Sequence, residues 1–292
     1  VSNVALYLAA VLIWGSTWLV IKFQLGTVPA IVSVAWRFAL ASLILLLYAG
    51  GLRRPVHFAL RHHPWIALQG ILMFGLNYIG VYLAEQSLVS GLVAVVFSLT
   101  VFGNAIGMRV CFGTPIRASA FPAAMLGVTG VALIFGRELL SMRTAGAKEL
   151  QGLLTAVAAT VFASLGNMVA MRNYRQGLPI IQLNAWSMLY GALFVLVVAL
   201  ALREPLAFEP SFSYVASLLY LALFGSALAF GAYVTLMVRI GPDRAAYTAV
   251  AIPIVALLLS TLFEGLRWHI ETVTGVMACV GGTALALRRR AA

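Results

Sequence analysis

Ten apolar blocks, most of about twenty residues and separated by short polar connections, run the length of the chain at 3–25, 30–49, 65–84, 88–110, 115–136, 150–172, 179–202, 211–233, 243–264 and 267–288. Each is long enough to cross roughly 30 Å of hydrocarbon as a helix. A helix satisfies its own backbone hydrogen bonds in lipid, so all ten are expected to be helical. The pattern predicts an all-α polytopic membrane protein with ten transmembrane helices. Only 50–64 and 137–149 are connections of any length, and the second falls almost at the midpoint. Residues 1–25 lack a basic start and a small-residue cleavage site, so they are expected to be the first span rather than a cleaved signal.

The blocks repeat. Pro29, Ile31, Ala35 and Trp36 match Pro179, Ile181, Ala185 and Trp186 at a constant offset of 150. Phe74-Gly75 then matches Phe224-Gly225, Gly80 and Tyr82 match Gly231 and Tyr233, and Gly130 falls on Gly282, so the order is kept at offsets of 150–152. This predicts a first repeat over 1–136, a linker at 137–149 and a second repeat over 150–292, with five spans in each repeat. Because five is odd, the copies enter the membrane from opposite sides. That is the inverted repeat of many secondary transporters, whose substrate sits near the midplane between the halves.

Composition agrees with the pattern. Hydrophobic residues make up 63% and charged residues 9%, with mean hydropathy +1.02; soluble domains are nearer 45–50% and 25%. The net charge of +11 does not point to nucleic acid, because the basic residues lie between hydrophobic blocks, where they report topology instead. With the N-terminus inside, the inner segments hold Arg53, Arg54, Arg61, Arg109, Arg117, Arg172, Arg175, Arg239, Arg244, Arg288, Arg289 and Arg290 against one acid, Asp243. The outer segments hold Lys22, Arg137, Arg143, Lys148, Arg203 and Arg267, and seven of the eight acids. Both termini are therefore expected in the cytoplasm. Cys111 and Cys279 lie in different blocks without pairing or metal spacing, so neither a disulfide nor a metal is expected.

Several short runs resemble a known group. Ile13-Trp14-Gly15-Ser16-Thr17-Trp18 leads to Lys22, Trp36-Arg37-Phe38 sits in span two, span nine carries Pro253 and closes with Phe263-Glu264-Gly265, and span ten holds Gly275, Gly281 and Gly282. With the 5+5 plan, these resemble the drug/metabolite transporter superfamily, specifically its ten-span EamA-type exporters. The resemblance covers the whole chain and implies an inner-membrane carrier moving small organic solutes by alternating access. The length, aromatic content and span-three tyrosines look most like bacterial aromatic amino acid exporters. One departure is plain: the Gly-Glu pair that the family places near the end of span nine stands here as Glu264-Gly265, and Phe112 replaces the acid in the first half.

Candidate substrate contacts follow from polar and aromatic side chains at depth. Phe74, Tyr78, Tyr82 and Glu85 recur at helical spacing on one face of span three, flanked by Asn77. Their polar groups need partners, because an unpaired polar group in hydrocarbon costs several kcal/mol. A cavity supplies such partners, and so does a neighbouring helix. Trp14 and Trp18 lie one turn apart in span one, with Trp14 too deep for an interfacial belt. Ser98 in span four, Phe162 and Asn167 in span six, Trp186 in span seven and Tyr233 in span eight complete the expected lining. Gly103 and Gly107 read as a close-packing face. Arg37 is the one ionised group well inside a span, facing either a substrate carboxylate or an ion pair with Glu85 or Glu264 that would act as a gate latch. Pro122 and Pro253 are expected kinks or hinges.

No acid lies near the middle of a span, so proton coupling through a midplane carboxylate is not expected, and coupling, if present, is confined to the outer margin. The four histidines lie in loops or at helix ends, which argues against an intramembrane enzyme. The expectation is an exporter of small metabolites without cofactor or metal, acting on amino acids and aromatic ones above all. A broader metabolite or drug carrier of the same superfamily is the alternative. Its partners would be the lipid bilayer and its small-molecule substrate but no nucleic acid, with the chain a monomer or weak homodimer.

Overall fold

The computed structural model describes residues 1–53, 56–116, 120–140, 146–240, 245 and 247–287. The regular structure among these residues is helical, in ten segments. They are α1 (Asn3–Lys22), α2 (Ala30–Gly51), α3 (Leu60–Glu85), α4 (Ser90–Phe112), α5 (Ala120–Leu140), α6 (Gly146–Arg175), α7 (Ile180–Ala201), α8 (212–240), α9 (Thr248–Phe263) and α10 (Ile270–Leu287). Eight of these stretches are long and apolar enough to cross a membrane, while the apolar helices Ala120–Phe135 and Thr248–Phe263 are shorter. The chain is thus a multi-pass helical membrane protein.

The boundaries differ from the sequence reading where charge or proline misled it. Helix α8 runs on to Ile240, about two turns past its expected end. The expected linker is helical on both sides, since α5 reaches Leu140 and α6 begins at Gly146. Residues 141–145 lie outside the described residues, as do Arg54, Arg117, Arg143, Asp243, Arg244, Arg288, Arg289 and Arg290, which carry part of the charge asymmetry. Pro122 is not a mid-helix kink. It stands in the first turn of α5, where no intrahelical N–H bond is lost. Pro253 does lie inside its helix, and α9 continues through it.

In lipid the hydrophobic effect cannot hold helices together, so close backbone approach and buried hydrogen bonds must. The principal pairings are α2 with α7, α5 with α10, α1 with α8 and α9, α6 with α3 and α4, α2 with α8, α3 with α7, and α4 with α9. Shifting each helix by five places turns this set into itself. The burial of α2 and α7 matches as well: buried, half-buried and exposed positions coincide throughout 32–47 and 182–197. Glycines let the backbones meet. A Cβ at Gly130 of α5 would lie 2.5 Å from the carbonyl oxygen of Gly275 on α10, so the glycine faces of these two helices are used within the chain. Gly103 and Gly107 likewise pack on Ser164 and Met168 of α6.

Two helices change their winding in mid-span. α3 is π-helical over Ile71–Leu76 and α8 over Leu221–Leu228, at the same offset of 150 that relates the sequences. Phe74-Gly75 and Phe224-Gly225 fall inside these turns. A widened turn leaves carbonyls open to other donors and is a frequent feature of working sites. In α8 the Ser226 hydroxyl donates to the Leu221 carbonyl at 3.0 Å, closing part of that gap.

The repeated tryptophans act as straps. Trp36 Nε1 donates to the Ala207 carbonyl at 3.1 Å, in the connection from α7 to α8. Trp186 Nε1 donates to the Val56 carbonyl at 2.7 Å, in the connection from α2 to α3. Each half of the chain thereby holds a connection belonging to the other. Trp36→Phe and Trp186→Phe keep the ring and lose the N–H donor, so each should cost about 1 kcal/mol in thermal unfolding and raise hydrogen exchange in the strapped connection; unchanged exchange there would contradict the assignment.

Candidate functional site

Two groups of polar side chains stand out in the interior. The first surrounds the π-helical turn of α8. Trp14 Nε1 of α1 donates to the Gly225 carbonyl at 3.0 Å, and its ring packs against Phe230 and Tyr233, with centroids 5.2 and 5.3 Å away. From α2, Arg37 reaches the other side of the same glycine: a Cβ there would lie 3.5 Å from Arg37 Nη2 and 2.8 Å from Thr17 Cγ2. Gly225 is therefore needed for its absent side chain, because both α1 and the guanidinium approach it directly.

Arg37 is 2% exposed, yet no carboxylate lies within salt-bridge distance of it among the described residues. Its guanidinium carbon lies 4.7 Å from the Tyr78 ring centroid and 5.2 Å from that of Phe38, and Nη1 donates weakly to the Tyr82 hydroxyl at 3.5 Å. Tyr82 donates in turn to Gln24 Oε1 at 2.6 Å. Desolvated cation–π contacts reach about 2 kcal/mol, which offsets part of the cost of burying the charge. Arg37 Nε has no hydrogen-bond partner. The expected ion pair with Glu85 or Glu264 does not form, because Arg37 turns sideways toward Tyr78 and Tyr82 from within α2.

The second group closes one end of the bundle. Lys22, at the end of α1, lies 3.6 Å from Glu264 and donates to the backbone carbonyls of Glu85 and, at 2.7 Å, Leu88. The Glu264 carboxylate, just past α9, accepts the Ser90 N–H at 3.2 and 3.3 Å, the Ser260 hydroxyl at 2.5 Å and the Ser90 hydroxyl. Ser260 Oγ also accepts the Gly91 N–H at 2.8 Å. The end of α9 thus caps the N-terminus of α4, where a negative charge is favoured by the helix dipole. Nothing equivalent forms at the opposite end among the described residues. There Phe112, which stands in the first repeat where Glu264 stands in the second, lies 4.2 Å beneath the Arg175 guanidinium. The helix α4 itself divides at Ser98-Leu99: its 90–97 half packs against both α9 and α6, and its 100–112 half chiefly against α6.

The remaining expected site residues are scattered. Trp18 is buried against Phe97, and Ser98 donates to the Val95 carbonyl at the break in α4. Asn77 donates to the Met73 carbonyl within its own helix, while its Oδ1 has no partner. Asn167 pairs with Asn104 across α4 and α6 at 3.2 Å, which is a packing contact. Phe162 is half-buried on α6 and forms no ring contact among the described residues. Trp186 lies apart from the Gly225 group, in a cluster with His63 and Tyr190. A recess of about 430 Å3 between α4 and α6 is walled by Leu99, Ile106, Val110, Val157, Val161 and Leu165. It carries almost no polar surface, so it is suited to an acyl chain and not to a polar solute.

Sequence reasoning passed over Lys22, Gln24, Ser90 and Ser260. It also passed over Gln69 and Asn173, which form a buried amide set: Asn173 donates to Gln69 Oε1 at 3.0 Å and Gln69 approaches Asn184 at 3.4 Å. Gln69 was legible, since a mid-span amide must find a partner. Ser90 was not, because its partner lies 174 residues away.

The EamA-like transporter family model matches residues 2–136 and again 150–288, nearly the full length. The chain belongs to the EamA-like transporter family. Among curated relatives of this EamA-like transporter, the uncharacterized inner membrane transporter YedA of Escherichia coli K12 is 30% identical over 262 residues, covering 88% of this chain and 81% of that protein. The uncharacterized transporter YoaV of Bacillus subtilis is 23% identical over 277 residues, covering 94% and 93%. Protein PecM of Dickeya dadantii is 26% identical over 252 residues, covering 86% and 80%. A solved crystal structure covers 98% of this chain with a TM-score of 0.68 at 19% identity, and 96% of its own chain is covered in turn, a likeness of fold.

Proposed function

We propose that this membrane transporter exports small zwitterionic metabolites, aromatic amino acids in particular, across the bacterial inner membrane by alternating access. Its ten helices act as ten spans in a 5+5 inverted repeat with both termini cytoplasmic. The self-mapping helix pairings and the twofold family match support the repeat, and the basic residues support the orientation. In that orientation the Lys22–Glu264 end faces outward and is shut. That α9 packs chiefly on the 90–97 half of α4 and leaves its 100–112 half supports an inward-facing state.

The observation that carries the reading is the meeting of Trp14 and Arg37 at the Gly225 turn, with the Tyr78 ring lying against the Arg37 guanidinium. Aromatic rings offer a face for an aryl side chain, and the turn lies where repeat-built carriers bind substrate. Tyr82, through Arg37, and Tyr233, through Trp14, belong to the same region in this reading. Counterflow in proteoliposomes with radiolabelled phenylalanine, tryptophan and threonine tests it. Phenylalanine and tryptophan should exchange at least about tenfold faster than threonine, and Trp14→Ala or Tyr78→Ala should lower the rate by about tenfold or more, equivalent to about 1.4 kcal/mol. Equal rates for all three would favour a broader metabolite or drug carrier. Full activity in both variants, with no change in selectivity, would remove these rings from the site.

A further inference from the structure

At the Lys22–Glu264 end two carboxylates face one lysine, and only one of them is satisfied. Glu264 holds three donors besides Lys22: the Ser90 amide and the hydroxyls of Ser90 and Ser260. Glu85 is fully buried, and neither of its carboxylate oxygens has a hydrogen-bond partner. The lysine is drawn to the main chain of Glu85 and not to its side chain, because Lys22 Nζ donates to the backbone carbonyls of Glu85 and Leu88. The charged and titratable groups acting on Glu85 are Lys22 of α1, Arg37 of α2, Tyr82 one turn earlier on α3, and Glu264 at the end of α9. The packed helix α4 contributes Ser90, already taken by Glu264. Helix α6 carries Lys148 and Glu149 at the same end, neither of them among the groups acting on Glu85.

We propose that Glu85 is a proton-binding site that links closure of the outer end to uptake of one proton. An ionised carboxylate closed in without a donor, and facing a second carboxylate, carries an unfavourable charge that the neutral acid does not. Both cations act on it from a distance but neither reaches it to bond: the ammonium is held by Glu264 and two carbonyls, and Arg37 lies over Tyr78. When the α3, α4 and α9 ends part, water reaches Glu85 and the acid ionises. The cycle therefore takes a proton from the outer compartment on closing, forming the carboxyl O–H bond, and returns it to the same compartment on opening. No proton crosses the membrane by this route, so the device sets which conformation is populated without driving transport. The closed form binds more protons than the open form, so acid on the outside favours closure. One linked proton can change the closed-to-open ratio by up to about tenfold per pH unit.

The site is independent of the substrate assignment and uses the orientation above only to name the compartment. The test reads conformation rather than flux, so a failed substrate assignment leaves it intact. Spin labels at Gln86→Cys and Arg267→Cys, both exposed positions at this end, are introduced into the full chain with Cys111→Ser and studied in nanodiscs by electron–electron double resonance. The expected result is a short-distance population dominant at pH 5 and a longer one growing toward pH 9. Glu85→Gln should stay short at both values, and Glu264→Gln should still respond to pH. Identical distributions at pH 5 and 9 in the otherwise wild-type chain would overturn the proposal, as would an unchanged titration in Glu85→Gln. If Glu85→Gln does not fold, the titration of the wild-type background and of Glu85→Asp still decides the matter.

Discussion

Glu264→Ala should lower stability by about 3 kcal/mol, the range seen when one partner of a largely buried ion pair is removed, and should shift the protein toward outward opening. The side chains of Lys22 and Glu264 are 26% and 12% exposed, so solvent screens the pair only partly. The carboxylate does more than neutralise Lys22. It satisfies the first free N–H of α4 and two hydroxyls, and with it removed the Ser90 amide, both serines and the lysine all lose a partner in a setting with little water. Glu264→Gln should lose less, since its amide oxygen can still accept from Ser90. Thermal unfolding in detergent, followed by circular dichroism, measures both variants. A change of less than about 0.5 kcal/mol for Glu264→Ala, the size of a surface substitution, would show that the cap does not hold this end together.

Gly70→Ala should be about as damaging by an unrelated route. The added Cβ would lie 2.2 Å from the Ser187 carbonyl oxygen and 3.0 Å from the Gly191 amide nitrogen, both main-chain atoms of α7. No rotamer change relieves such a clash, so α3 and α7 must separate, at a cost of about 1–3 kcal/mol or more. Gly103→Ala is the informative comparison. Its close neighbour is the Ser164 hydroxyl, a side-chain group with some freedom to move, so the loss should be smaller. Gly50→Ala meets nothing within 4 Å and should stabilise slightly, by about 0.5–1 kcal/mol, through helix propensity. Equal unfolding temperatures for Gly70→Ala and Gly103→Ala would mean that backbone contact does not set the α3–α7 spacing.

These two variants also divide what was readable in the sequence from what was not. Helix content and the approximate position of each segment followed from apolar blocks, because length and lipid together leave little choice. Of the residues that matched at an offset of 150, Phe74-Gly75 and Phe224-Gly225 mark the two π-helical turns. The pairing of Arg37 with Glu85 or Glu264 did not hold, because depth along a helix says nothing about the direction of a long side chain. Lys22 entered the reading only as an outer charge and the end of a motif, not as the partner of Glu264. Tyr82 was selected as a polar group needing a partner, but that partner, Gln24, was read as part of the first span and lies beyond the end of α1. Trp186 was chosen for the cavity on the strength of its ring, whereas its N–H is directed to a connection of the other repeat. The general limit is that spacing within one helix is visible in sequence, while the meeting of two helices is not.

The reciprocal tryptophan contacts have a bearing on how the chain can be divided. Trp36 has its acceptor at Ala207, and Trp186 has its acceptor at Val56. A lone first repeat would retain the Trp36 donor without its acceptor and the Val56 acceptor without its donor; a lone second repeat would have the converse deficit. The two pieces are therefore complementary in the way that subunits exchanging arms are. Produced together as separate polypeptides they retain both contacts, and produced apart each has a vacant grip and an unheld arm.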